Sequence, residues 1–174
     1  MINQWLRENK AAMWILTVVR VYLGYTWMTH GWEKLTGGFQ ADGFLAGAVK
    51  LAGGEHPAVQ GWWKVFLENF AIPNVGLFNF LVPIGEFLIG LGLILGCFTT
   101  LAALMAMVMN FAFLFSGTVS TNAQLLLFEI FLVVAGANAG KIGLDRWVLP
   151  YLKGLFRRDR GERINPANPN KTTA

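Results

Sequence analysis

The chain has 174 residues, 55% of them hydrophobic and only 14% charged, with a net charge of +4. That is too apolar for a soluble domain of this length, and the apolar residues come in long runs rather than at amphipathic spacing, which points away from a globular core and toward membrane spans. The basic residues gather in the last fifth of the chain, which argues for anionic lipid and against nucleic acid, and the single cysteine, Cys97, excludes an internal disulfide or a dithiol redox centre.

The first apolar run, 12–30, offers roughly the ~20 residues that a hydrocarbon core of ~30 Å requires. Arg7 and Lys10 precede it, but Arg20 interrupts it and no small-x-small cleavage site follows, so it reads as a retained span rather than a cleaved leader. A mixed stretch, 31–74, comes next. Within it Val59, Trp62, Trp63, Phe66, Leu67 and Phe70 form one apolar stripe at helical spacing, predicting an amphipathic helix over 57–70 with Pro57 in its first turn and Pro73 as its stop. Spans at 75–97 and 98–115 follow, joined by a tight hairpin at Phe98, Thr99 and Thr100. The fourth, 122–140, comes after a polar turn at 116–121. Leu144, Trp147, Val148, Tyr151, Leu152 and Leu155 repeat the amphipathic spacing, and Pro150 is expected to kink or split that helix. Residues 161–174, with Pro166, Pro169 and several Asn, read as a disordered cytoplasmic tail. Gly92 with Gly96 and Gly136 with Gly140 make small-xxx-small pairs suited to close helix approach.

The expected fold is all-α: a four-transmembrane-helix bundle in one domain, 1–160, with an extracytoplasmic amphipathic helix and a C-terminal interfacial helix. Basic residues flank both ends, at Arg7 and Lys10 and from Lys141 to Arg163. An even number of spans therefore places the N- and C-termini in the cytoplasm, and the expected location is the plasma membrane. The interfacial positions of Trp14, Trp27, Trp32 and Trp147 agree.

Ionisable groups inside a span cost ~2.5–3.5 kcal/mol each on insertion scales, so each needs a partner or a task. Arg20, Glu86 and Glu129 are such groups. At ~1.5 Å rise per residue, Arg20 lies ~12 Å into its span, Glu86 and Glu129 ~16 Å, and Asn110 ~18 Å. Each span thus brings one polar side chain to a common layer, and the four are expected to converge, with one carboxylate paired to Arg20 and the second left to hold or release a proton. Such a carboxyl suits a quinone site or a proton path; the alternative is a structural polar network that fixes helix register. At the outer end of the first span stand His30, Glu33 and Lys34, with Asn122 and Gln124 on the same side. Lys34, 14 residues after Arg20, shares its helix face. These could be snorkelling interfacial groups or could bind a headgroup or a quinone carbonyl. Haem is not indicated, because His56, the other histidine, falls in the external stretch. No flavin or metal site is indicated either.

The run from Arg20 through Leu23-Gly24 to His30-Gly31-Trp32-Glu33-Lys34-Leu35 resembles the opening pattern of the DoxX family. Glu86 with Gly90 and Gly92, Asn110, and the stretch from Ala139 to Asp145 are similar to its later motifs, with Gly143 where serine is common. The resemblance covers roughly 12–35 and 75–150 and implies a four-helix membrane bundle. It further implies a quinone-linked oxidoreductase subunit, of the thiosulfate:quinone or thiol and oxidative-stress type, working with a second protein subunit or as a homo-oligomer. On that reading Glu86, Glu129 and Arg20 are the catalytic candidates, and His30, Lys34 and Asn110 the cofactor-binding ones. Non-catalytic scaffolds or assembly factors share the architecture, so fold alone does not decide. Small-solute transport is a third reading, one that would need oligomers.

Overall fold

The computed structural model describes residues 1–164, with side chains to 155, and these form helices and turns without a strand. A short helix α1 (Ile2–Glu8) leads into α2 (Lys10–Thr36). Asn9 separates them by capping α2, its side-chain oxygen accepting the N–H groups of Ala11 (2.7 Å) and Ala12 (3.3 Å). Next come α3 (Asp42–Lys50), α4 (Gly61–Phe66) with a π-helical turn at Leu67–Ala71, and the three bundle helices α5 (Val75–Leu95), α6 (Thr99–Phe115) and α7 (Asn122–Ala135). A single turn, α8 (Ala137–Gly140), and the helix α9 (Asp145–Ile164) are the last of the described elements.

Helices α2, α5, α6 and α7 pack as a bundle whose polarity is reversed relative to a soluble protein. Tyr22 and Tyr25 on α2, Phe80 and Leu88 on α5, Val108 on α6 and Leu127 on α7 are exposed. Arg20, Glu86, Asn110 and Glu129 are buried inside. Water would reject so large an apolar exterior, whereas hydrocarbon accepts it. Val75–Leu95 is long and apolar enough to cross a membrane by itself, while α6 and α7 are apolar but shorter, at 17 and 14 residues.

The closest approach in the bundle is between α2 and α5. A side chain at Gly24 would meet the backbone N of Ile94 at 2.8 Å and the carbonyl of Gly90 at 2.9 Å, and one at Gly31 would meet Pro83 O at 2.9 Å. These glycines, not the expected pairs, form the packing face. Gly96 instead ends α5 in the left-handed conformation (φ 64°), and Gly136 (φ 56°, ψ −126°) breaks the expected fourth span, so that α7 stops at Ala135.

The segment before α5 folds over one end of the bundle with its own small core of Ala41, Leu45, Ala48, Val59, Leu67 and Ala71. Its amphipathic helix starts at Gly61, so Pro57 lies in the preceding loop rather than in the first turn. The sequence reading placed no helix at α1 or α3. The α2 helix also runs one and a half turns beyond the expected end at residue 30, which carries Lys34 on an ordered helix. Pro150 does not split α9, which continues through it. The tail expected from 161 lies, from 165 onward, outside the described residues.

Candidate functional site

The capped end of the bundle holds a cavity of about 260 Å³. His30 and Lys34 from α2, Glu86 from α5, and Asn110 and Phe113 from α6 line it, together with Phe39, Phe44 and the turn from Thr118 to Asn122. Each wall has a local cause. The extension of α2 brings Lys34 level with Glu86. Asn79 accepts the N–H of Ala41 (2.7 Å) and so ties the start of α3 to α5, and Phe44 then meets Phe113 edge-on at 5.7 Å. Trp63 donates to the Ser116 hydroxyl (2.9 Å), pinning α4 to the end of α6. Asn122 holds the mouth by donating to Thr118 O (3.1 Å) and accepting from Ser120 N–H (3.2 Å).

Inside, the Lys34 ammonium donates to Glu86 Oε1 and lies 5.4 Å from the ring centroids of both Phe39 and Phe113. Two aromatic faces and one carboxylate thus hold a single cation. The second oxygen, Glu86 Oε2, is buried and has no hydrogen-bond partner. A polar cavity wall with an unused acceptor is suited to a ligand that brings its own donor.

Beneath the cavity floor lies a second polar group. Glu129, fully buried, accepts from the Trp27 indole (2.9 Å) and from the Asn110 amide (2.9 and 3.0 Å). Trp27 and Asn110 also line the cavity, whereas Glu129 does not. They separate it from the open space while being held in place by it.

The expected convergence of four polar groups therefore holds only in part. Asn110 and Glu129 meet, and His30, Lys34, Glu86 and Asn110 share one cavity. Arg20 is elsewhere and pairs with neither glutamate. Its Nη2 donates to Ile142 O (2.7 Å), and the guanidinium lies in a cradle made by Gly96 and Gly143, where any added side chain would overlap it. The reason is the register of α2 against α5, which sets Gly24 beside Gly90 and Ile94 and so keeps Arg20 off the level of Glu86. Arg20 is seven residues before Trp27, about 10 Å along α2, and its long stem reaches away from the glutamates toward the far end of the bundle. There Asp145 accepts the N–H groups of Phe98 (2.6 Å) and Thr99 (2.9 Å) and so caps α6. Glu86 found Lys34 instead of Arg20, and the pairing was hidden because residue 34 lay beyond the expected span. Trp27 was read only as an interfacial ring; its seven-residue spacing from Arg20 and Lys34 was the available signal, since it puts all three on one face.

Apolar outside and polar within, these helices make a helical membrane protein. The chain belongs to the DoxX family, whose model matches residues 15–119, more than half of its length. That match takes in most of the cavity lining but ends before Asn122, Glu129 and Asp145. No curated protein and no solved structure matches the chain.

Proposed function

We propose that the protein crosses the plasma membrane four times with both termini in the cytoplasm and acts as the quinone-binding subunit of an oxidoreductase. The cavity carries this reading, because it combines flat aromatic walls with a cation, an imidazole and a carboxyl around a space of about 260 Å³. Aromatic walls suit a planar ring, and Lys34 and His30 supply donors for its carbonyl oxygens. A bound quinone would supply an acceptor for two electrons and two protons. Electrons come from a partner subunit that oxidises a reduced-sulfur or thiol substrate, since this chain holds one cysteine. Glu86, at the wall with an unpartnered oxygen, exchanges protons with the ligand. Glu129 has a positioning role, fixing Trp27 and Asn110. The apolar exterior of α2, α5, α6 and α7 supports four crossings, with the short α7 supplemented by α8.

The test is direct. Protein purified in native membrane particles should yield about one extractable quinone per copy, and His30→Leu should lower that content at least tenfold. His30 is exposed at the cavity and its side chain forms none of the hydrogen bonds that hold the bundle, and an unchanged midpoint of thermal unfolding in the variant separates loss of quinone from loss of structure. Quinone-free protein, or equal content in the variant, defeats the proposal. The complete satisfaction of Glu129 favours a second reading, a non-catalytic scaffold whose polar core only sets helix register.

A further inference from the structure

A second cavity, of about 270 Å³, lies at the opposite end of the bundle, where α1, α8 and α9 meet. Arg7, Lys141, Arg146 and Lys153 line it, against one carboxylate, Asp145. That carboxylate is already engaged, because both of its oxygens accept backbone N–H groups at the start of α6. The cavity is built rather than incidental. Arg7 Nε donates to Val134 O (2.9 Å), and the Asn138 amide donates to Leu6 O (2.8 Å) and Asn9 O (3.2 Å), locking α1 to the α7–α8 corner. On α9, Arg146, Leu149, Pro150 and Lys153 recur at i, i+3, i+4 and i+7 and turn one face to the cavity. A different face of the same helix leaves Trp147, Tyr151 and Leu155 exposed, as are Leu144 just before it and Ile2 and Trp5 on α1. Apolar and amphipathic side chains that flank a basic cavity at the end of an apolar belt place it at the level of lipid headgroups.

We propose that this cavity binds the phosphate of an anionic phospholipid, with Arg7, Lys141, Arg146 and Lys153 as its cationic walls. Four cations that line one cavity, rather than lying scattered along the surface, give a phosphodiester a shared electrostatic well. The exposed rings of Trp147 and Tyr151, on another face of α9, favour a lipid over a soluble anion because they hold this helix at the membrane interface, where headgroups are the nearest phosphates. This site is independent of the quinone reading and rests only on the membrane placement of this end of the bundle.

The experiment uses the full chain in nanodiscs of phosphatidylcholine alone or with a minor fraction of phosphatidylglycerol. Native mass spectrometry counts retained phosphatidylglycerol, and the midpoint of thermal unfolding is recorded in both lipids. The Arg146→Gln, Lys153→Gln double variant should retain phosphatidylglycerol about twenty-five-fold less tightly, roughly fivefold per cation removed. In phosphatidylcholine alone it should unfold at the wild-type temperature. Equal retention by variant and wild type overturns the proposal. Inorganic phosphate that stabilises the wild type in phosphatidylcholine as much as the anionic lipid does also overturns it and reassigns the cavity to a soluble anion. If the double variant does not assemble, retention by the wild type must fall as ionic strength rises. Salt-independent retention then refutes the site.

Discussion

Replacing Lys34 with methionine would leave Glu86 without the cation that contacts it, at a position where the carboxyl side chain is only 2% exposed. Removing one partner of a buried ion pair costs about 3–5 kcal/mol, because the remaining charge stays desolvated. The Lys34 side chain is 27% exposed, so water already screens part of the pair, and the low end applies, about 3 kcal/mol. Glu86→Gln is the milder change. It leaves a neutral amide in the wall and an ammonium that can turn toward the cavity, and should cost about 1 kcal/mol. The double variant has no stranded charge, so it should cost about 2 kcal/mol rather than the sum of about 4. Equilibrium unfolding in mixed micelles, titrated with a denaturing detergent, measures all three. A cycle in which the two costs add to within about 0.5 kcal/mol would show that the pair is not coupled, and the cavity would lose its central feature.

Four further outcomes follow from the packing and the buried hydrogen bonds. Gly90→Ala puts a methyl group 2.6 Å from Gly24 O and Met28 Cα, backbone atoms that cannot step aside, and should cost about 3 kcal/mol or prevent assembly. Gly47→Ala, in α3 with nothing within 4 Å, should instead stabilise by about 0.5–1 kcal/mol, and thermal unfolding of the two side by side is the check. Asp145→Ala removes the cap shared by Phe98 and Thr99 and should cost about 2 kcal/mol, read as a lower midpoint with the quinone content of the folded fraction unchanged. Trp27→Phe keeps the ring but removes a donor to buried Glu129, for about 1.5–3 kcal/mol, and tryptophan-to-glutamate coupling is read by comparison with the Glu129→Gln, Trp27→Phe pair.

The helical bundle was legible because apolar runs of fixed length leave few alternatives, and its polar residues stood out against them. Depth compared between helices was not legible, since it is counted from span ends that the sequence leaves open by a turn or more. Counted that way Arg20 and Glu86 fall in one layer, yet the packing sets Gly24 beside Gly90 and Ile94, and Gly31 beside Pro83. That register puts Arg20 roughly three turns nearer the far end than Glu86, which meets a lysine from the capped end instead. The glycines were misassigned for a related reason. A small-xxx-small spacing fits both a packing face and a helix stop, and only the backbone conformation at Gly96 and Gly136 separates them. The short helix α3 left no readable signal, because nine residues hold too few turns for a period to emerge.

The hydrogen bonds that satisfy α2 come from the other end of the chain. Arg20 finds its acceptor 122 residues later at Ile142, and the Trp27 indole finds its own 102 residues later at Glu129. During synthesis the first long helix must therefore wait with a guanidinium and an indole unanswered until nearly the whole polypeptide has emerged. Residues 15–119 include both donors and neither acceptor. The smallest piece of this protein able to close its own polar interior is thus longer than the region that marks its family, and a truncation ending near residue 120 would strand the very side chains on which its first helix depends.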